Sequence, residues 1–236
     1  MRWVFFSNAQ ISDKELWERE YTAGHVIPST TRNEPSKALM LFAEILDYSK
    51  FRRVLDVGAG NGRNAIYLAR KGCEVHCVDF STAALRNLRD RVQSSNLSPK
   101  IRVYEHSLLQ TLPFQNGVFD AIIDSYTFCH FFGESRRRYL SEIHRVAASS
   151  AYFIVSVFPP EDGYYATMPK SSTPDESYIT DPSNGIRKQL YNEDELETLL
   201  SSYFKVIYSS LLRFDDVVLD KTYVRRILTL VCQRIH

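Results

Sequence analysis

The 236-residue chain carries 29 Lys and Arg against 28 Asp and Glu, a formal charge of +1 at neutral pH, and 44% of its residues are apolar. That balance excludes a global field steering it to nucleic acid or an anionic membrane, and the length suits one full core with appendages, not two complete domains. The four cysteines, at 73, 77, 129 and 232, match neither a secreted disulfide framework nor a four-ligand zinc site, so no metal is expected.

The run Trp3-Val4-Phe5-Phe6 is too short for a signal h-region, and no stretch approaches about 18 continuous apolar residues. A soluble cytoplasmic protein with a small ligand is the expectation. Residues 1–10 read as an arm. Ser12-Asp13-Lys14-Glu15 is a capping box, with Ile11 and Leu16 placed as its hydrophobic staple, and Gly24 can end the helix it opens. Trp17 and Tyr21 fall on one face of that helix; they either pack in the core or close over a ligand. Residues 25–35 read as a polar loop in which Arg32 is a solvated side chain or a carboxylate clamp. From Ser36, the positions Ala38, Leu41, Phe42, Ile45 and Leu46 describe an amphipathic helix.

Next comes Val54-Leu55-Asp56-Val57-Gly58-Ala59-Gly60-Asn61-Gly62-Arg63, an apolar strand, a loop with three alternating glycines, and a helix start. Such a loop lets a nucleotide-like ligand approach the backbone. The dinucleotide fingerprint G-x-G-x-x-G is not met, because the third glycine comes one residue early. Asp56 would repel a pyrophosphate and could hold an ammonium. The helix runs to Lys71 with Gly72 after it. Cys73 and Cys77 are read as buried thiols at the start and interior of the strand that follows. In Val75-His76-Cys77-Val78-Asp79-Phe80-Ser81 that strand ends in an acid, and Ser81 caps a helix carrying Leu85, Leu88 and Val92. Residues 101–104 form a third strand and 119–124 a fourth. A helix with Tyr139, Leu140, Ile143 and Val146 leads to a fifth strand over 152–157. The 158–191 segment has no sustained period and reads as a long loop, a lid or a substrate-binding insertion. Asn192-Glu193-Asp194-Glu195 opens a last helix with Tyr191 and Leu196 as its staple. Strands at 204–212 and 226–232, joined by an acidic turn at Asp215-Asp216, close the chain.

The run from Asp56 through Gly62, the acid Asp79 about twenty residues on, and Leu112-Pro113-Phe114 followed by Phe119-Asp120-Ala121-Ile122-Ile123-Asp124 together resemble three motifs of class I S-adenosylmethionine-dependent methyltransferases of the small-molecule type. The resemblance implies a Rossmann-like α/β fold: a doubly wound, seven-stranded sheet, mostly parallel with the last strand antiparallel, and helices on both faces. It implies an N-terminal arm and lid helix at 1–35 and a methyltransferase domain at 36–236. S-adenosylmethionine would be the cofactor and S-adenosylhomocysteine the product. By the same resemblance Asp56, Gly58, Ala59, Gly60 and Asn61 surround the methionine part, Asp79 the ribose and Phe80 the adenine. Ser107, Leu108 and Leu109 stand where the family often places an acid on the adenine amine. The backbone at Asp124 and Ser125 would meet the amino group, and Trp17 and Tyr21 would cover the cofactor. Asp56 and Asp124 have a second reading as structural caps of strand ends.

On the acceptor side the sequence offers Tyr126, Arg32, Tyr164 and Tyr165 as substrate contacts. His130 is a candidate general base, with packing as its alternative. The expected activity is N- or O-methylation of a small molecule, with no nucleic acid and no membrane as partner, and a monomer or homodimer left open. Alternatives are a catalytically silent binding or scaffold protein on the same fold and, further off, a nicotinamide-dependent oxidoreductase.

Overall fold

The structure is a computed structural model that describes residues 12–24, 26–172 and 177–235; the arm at 1–10 and the staple residue Ile11 lie outside them. Seven strands form one sheet in the order β3-β2-β1-β4-β5-β10-β9. They are β1 (Arg53–Val57), β2 (Glu74–Asp79), β3 (Ile101–Glu105), β4 (Phe119–Ser125), β5 (Ala147–Val157), β9 (Phe204–Val218) and β10 (Lys221–Arg234). The first five are parallel, and β10 runs antiparallel to both β5 and β9. This is the expected doubly wound sheet.

Alternation along β1 shows why two layers of helix are needed. Leu55 and Val57 enter one buried cluster with Phe153, Tyr139 and Ile143, while Val54 enters another with Val75, Cys77, Ala65 and Leu68. With period 2, neighbouring apolar residues of one strand face opposite sides of the sheet, so both faces must be covered. On one face lie α6 (Gly133–Val146) and α7 (Glu193–Leu200); on the other lie α3 (Lys37–Phe42), α4 (Arg63–Arg70) and α5 (Thr82–Ser94). The expected caps form: Ser81 on α5 and Asn192 on α7 each accept a backbone amide from the residue three positions on, and Ser36 caps α3 in the same way. Ser12 does the same for α1 (Asp13–Arg19), closing the capping box with Glu15. Cys73 and Cys77 are buried thiols, as are Cys129 and Cys232.

Four expectations are corrected. Helix α3 stops at Phe42 rather than continuing through Leu46, because the chain turns so that Tyr48 can pack beneath it and donate its hydroxyl to the Leu39 carbonyl at 2.9 Å. The loop at 25–35 contains a one-turn helix, α2 (Pro28–Thr31). The 158–191 segment is not a structureless loop. It carries a three-stranded antiparallel sheet of β6 (Lys170–Ser172), β7 (Ser177–Thr180) and β8 (Arg187–Lys188), and its Phe158, Tyr164, Tyr165, Met168 and Ile179 pack with Val218 and Ile227. That packing also explains the last correction. The final hairpin extends well past 204–212 and 226–232, and Asp215 and Asp216 lie inside β9. The turn falls instead at Leu219 and Asp220, with φ of 49° and 61°. Among the described residues no helix is long and apolar enough to cross a membrane.

Candidate active site

The parallel strands β1, β2 and β4 all deliver their C-terminal ends to one edge, where a cavity of about 690 Å³ opens. Its floor is the loop after β1. Gly58 has φ +62° and a Cβ there would collide with the side chain of Thr127; Gly60 has φ +54° and a Cβ there would collide with the Tyr21 hydroxyl. Gly58 therefore needs glycine for backbone conformation and for space, and Gly60 for backbone conformation. The loop is pinned from behind, with the Ala59 amide on the Val78 carbonyl at 3.1 Å and the Gly60 amide on Asp79 Oδ2 at 2.9 Å. The other oxygen of Asp79 accepts the Ser81 amide at 2.9 Å, so one carboxylate joins the loop to the start of α5.

The residues expected at a cofactor separate into wall and support. Gly58, Ala59, Gly60, Asn61, Asp79, Phe80, Ser107, Leu108, Leu109, Ser125, Trp17 and Tyr21 all line the cavity. Asn61 also braces α2, donating to the carbonyls of Thr30 and Arg32 at 3.1 and 2.9 Å. Asp56 and Asp124 do not form the wall. Asp124 is largely occupied within the protein: Oδ1 accepts the amides of Thr127 and Phe128 at 2.8 and 3.1 Å, and Oδ2 accepts the Tyr139 hydroxyl at 2.5 Å. It caps the strand end and shapes the turn that follows. Burial pushes its carboxyl up to about 6.

Asp56 is different. It is 2% exposed, and its Oδ2 is a buried side-chain atom with no hydrogen-bond partner among the described residues. Burial pushes it up to about 7, with the nearby Asp124 and Asp79 carboxylates adding to the effect and Arg63 opposing it. An unsatisfied carboxylate oxygen behind a glycine loop is costly unless something positive or protic comes to it.

Helix α1 is seated on this site. The Glu18 carboxylate accepts the amides of Thr82 and Ala83 at 2.6 and 3.0 Å at the start of α5, while Trp17 and Tyr21 present their rings to the cavity with centroids 6.0 Å apart. The Trp17/Tyr21 face thus turns to the cavity rather than to either large core cluster.

At the β4–β5 end the wall is aromatic. Tyr126, Phe158, Tyr165 and His130 line it, and Tyr126 stacks on Phe158 at 4.7 Å. Tyr164 stands behind this wall, its hydroxyl on Asp181 at 3.1 Å. Arg32 is absent from the cavity: its guanidinium is paired with Asp216 on β9, so it clamps a carboxylate of the protein itself. His130 donates from Nδ1 to the Arg187 carbonyl, 2.7 Å away, which fixes the proton on Nδ1 because a carbonyl only accepts. Burial, with the neighbouring Lys188 charge, pushes the imidazole down to about 3. That makes it a weak proton acceptor, against its reading as a general base.

Sequence reading missed Lys188, Thr127 and Arg63, all on the wall. Lys188 lies in a segment with no periodicity to place it, and nothing local marks a lysine as buried. Thr127 had a local signal in its position three residues after Asp124, the spacing at which a capping carboxylate reaches a backbone amide. Among the described residues, no group of three or more His, Cys, Asp and Glu side chains is placed to hold a metal.

Residues 54–150 match the sequence profile of a methyltransferase domain. The chain is 34% identical over 103 residues to sarcosine/dimethylglycine N-methyltransferase of Aphanothece halophytica, a match covering 43% of this chain and 36% of that protein. It is 32% identical over 111 residues to demethylmenaquinone methyltransferase of Thermus thermophilus, covering 46% and 48%. The chain thus matches less than half the length of either relative. By structure it is similar to 1,6-didemethyltoxoflavin-N1-methyltransferase of Burkholderia thailandensis, solved with 1,6-didemethyltoxoflavin and S-adenosylhomocysteine bound. There the TM-score is 0.69 at 18% identity, with 97% of this chain and 93% of that one covered.

Proposed function

We propose, from the premise that residues 54–150 belong to the class I S-adenosylmethionine-dependent methyltransferase family, that this protein transfers a methyl group from S-adenosylmethionine to a nitrogen or oxygen of a small-molecule acceptor. The observation that carries this reading is the buried Asp56 carboxylate, one oxygen of which has no hydrogen-bond partner among the described residues, behind a loop in which positions 58 and 60 take positive φ and carry no side chain. A cationic amino-acid moiety in that cradle would stabilise the carboxylate form of Asp56 from across the loop, whereas a pyrophosphate would meet repulsion from Asp56 and Asp79.

The residues present fit the cofactor. Gly58 and Gly60 would lie against its methionine part, Asp79 would take the ribose hydroxyls on its remaining lone pairs, and Phe80, Leu108 and Leu109 would pack on the adenine. Trp17 on α1 and Tyr21 in the helical turn that follows it would cover it and exclude water. S-adenosylmethionine supplies a methyl group already activated by a positive sulfur. The protein's part is then to align the acceptor's nucleophile with that carbon and to keep water out, since alignment supplies most of the rate in such a displacement. Tyr126, Phe158 and Tyr165 form the surface against which an acceptor would be aligned. His130 would brace that surface by tying the turn after β4 to β8, a role its weak basicity suits better than proton removal.

The test is production of S-adenosylhomocysteine from S-adenosylmethionine in the presence of a macromolecule-free cell ultrafiltrate, with the retentate and NADPH turnover as comparison arms. Product with the ultrafiltrate is expected. Product with the retentate alone would move the acceptor to a macromolecule, and nicotinamide oxidation without methyl transfer would move the protein to another enzyme class.

A further inference from the structure

Lys188 is 2% exposed and still lines the cavity. Its Nζ donates to the Tyr165 hydroxyl at 2.6 Å and stands 3.9 Å from the Tyr165 ring centroid and 5.7 Å from that of Phe158. Among the described residues no carboxylate lies within 4.0 Å of it. The contrast with Arg225 on the far side of the same aromatic wall is informative. That guanidinium also sits near Phe158 and Tyr165, at 5.1 and 5.0 Å, but its Nε is paired with both oxygens of the buried Asp162 at 3.1 and 2.9 Å. Of two buried cations flanking one wall, the one outside the cavity lining has its counter-ion and the one within the lining does not.

A buried ammonium without an anion is costly, and aromatic faces and one hydroxyl offset only part of that cost. The sheet order places this group at the acceptor end. Asp79, Phe80 and Ser107 follow β2 and β3 on one side of the glycine loop, whereas Tyr126 and Phe158 follow β4 and β5 on the other, and Lys188 belongs to the second group. We propose that Lys188 is the anchor for an anionic oxygen on the acceptor, so that the substrate is a small organic acid, carboxylate or ionised hydroxyl, whose flat apolar body lies against Tyr126, Phe158 and Tyr165. This deepens the methyltransferase reading and rests on it for the word acceptor, but the anion site itself belongs to the chain whether or not the cofactor binds.

The experiment is calorimetric titration with benzoate and 4-nitrophenolate against their neutral counterparts benzamide and nitrobenzene, on the protein with and without saturating S-adenosylhomocysteine. Wild type should bind the anions about tenfold or more tighter than the neutral probes, the range for a hydrogen bond to a charged group. Lys188→Met should erase that preference, Lys188→Arg should retain part of it, and S-adenosylhomocysteine affinity should be unchanged in both. Because Met keeps the packing and removes an unpaired buried charge, the melting temperature of ligand-free Lys188→Met should not fall. Equal affinity for anionic and neutral probes, failure of both anions to bind, or loss of S-adenosylhomocysteine affinity in Lys188→Met would overturn the assignment. If wild type binds the anions selectively but not S-adenosylhomocysteine, the anion site stands and the cofactor reading fails.

Discussion

Asp79 Oδ2 accepts the amide proton of Gly60 at 2.9 Å, so the acid that ends β2 and the glycine loop that follows β1 act as one unit. The carboxylate has a structural task before any ligand arrives, holding the loop in the conformation that leaves the cavity floor free of side chains. Asp79→Ala should therefore weaken S-adenosylhomocysteine about tenfold to a hundredfold, through the loss of charge-assisted hydrogen bonds worth about 1.5–3 kcal/mol. Calorimetry on a folded variant measures this, and unchanged affinity would remove Asp79 from the ribose.

Asp56 provides a pH test. Its folded-state value of about 7 lies above the usual carboxylate value of about 3.9. The folded protein therefore holds a proton there that the unfolded chain has lost. This contribution to stability is fully present below about pH 3.9 and is lost as pH rises through about 7. His130 acts in the opposite sense. Its folded value of about 3 lies below the usual value of about 6.5, so its contribution is present above about pH 6.5 and is lost as pH falls. The two overlap in the bulk profile, so the useful quantity is the difference between wild type and Asp56→Asn. The melting temperature of wild type should drop relative to Asp56→Asn between about pH 4 and about pH 7. A difference that does not vary with pH would mean that Asp56 is charged throughout.

His130→Asn should lower kcat by less than about tenfold and leave its acidic limb in place, because a general base typically contributes about a hundredfold to ten-thousandfold and an imidazole this weak cannot supply that. Loss of the limb together with a hundredfold fall in kcat would make His130 the base after all.

The chain order of the glycine loop, Asp79 and the fourth strand was legible in the sequence because each is a local pattern with a fixed physical reason: glycine where a Cβ cannot fit, an acid where a strand ends. The four corrections share a different cause. Helix α3 ends for the sake of Tyr48, and the final hairpin extends because the 158–191 segment packs on it. Asp215 and Asp216 read as a turn from their type alone, yet the ladder continues through them and Asp216 is taken up by Arg32. These are decisions made by tertiary packing, which no local pattern marks. The burial of Lys188 is of the same kind, since it depends on Tyr165 and Phe158 being folded over it.

Arg32 shows how such a partner changes a prediction. With its guanidinium on Asp216, at side-chain exposures of 36% and 12%, the pair joins the segment before α3 to β9. Arg32→Ala should cost about 1 kcal/mol or less in stability, the range of partly exposed ion pairs, and leave both cofactor and acceptor binding unchanged. A selective loss of acceptor affinity, read from KM with stability intact, would return Arg32 to the site.

The most direct measurement is the titration of S-adenosylhomocysteine into wild type and Gly58→Val. At residue 58 a side chain would meet Thr127 and would need a positive φ of +62°, so the substitution disturbs the cavity floor while the sheet on either side keeps its packing. Saturable binding of one S-adenosylhomocysteine per chain in wild type, lost in a folded Gly58→Val, is the predicted result. Absence of binding to wild type, or the same affinity in Gly58→Val, would contradict the assignment of this cavity to the cofactor.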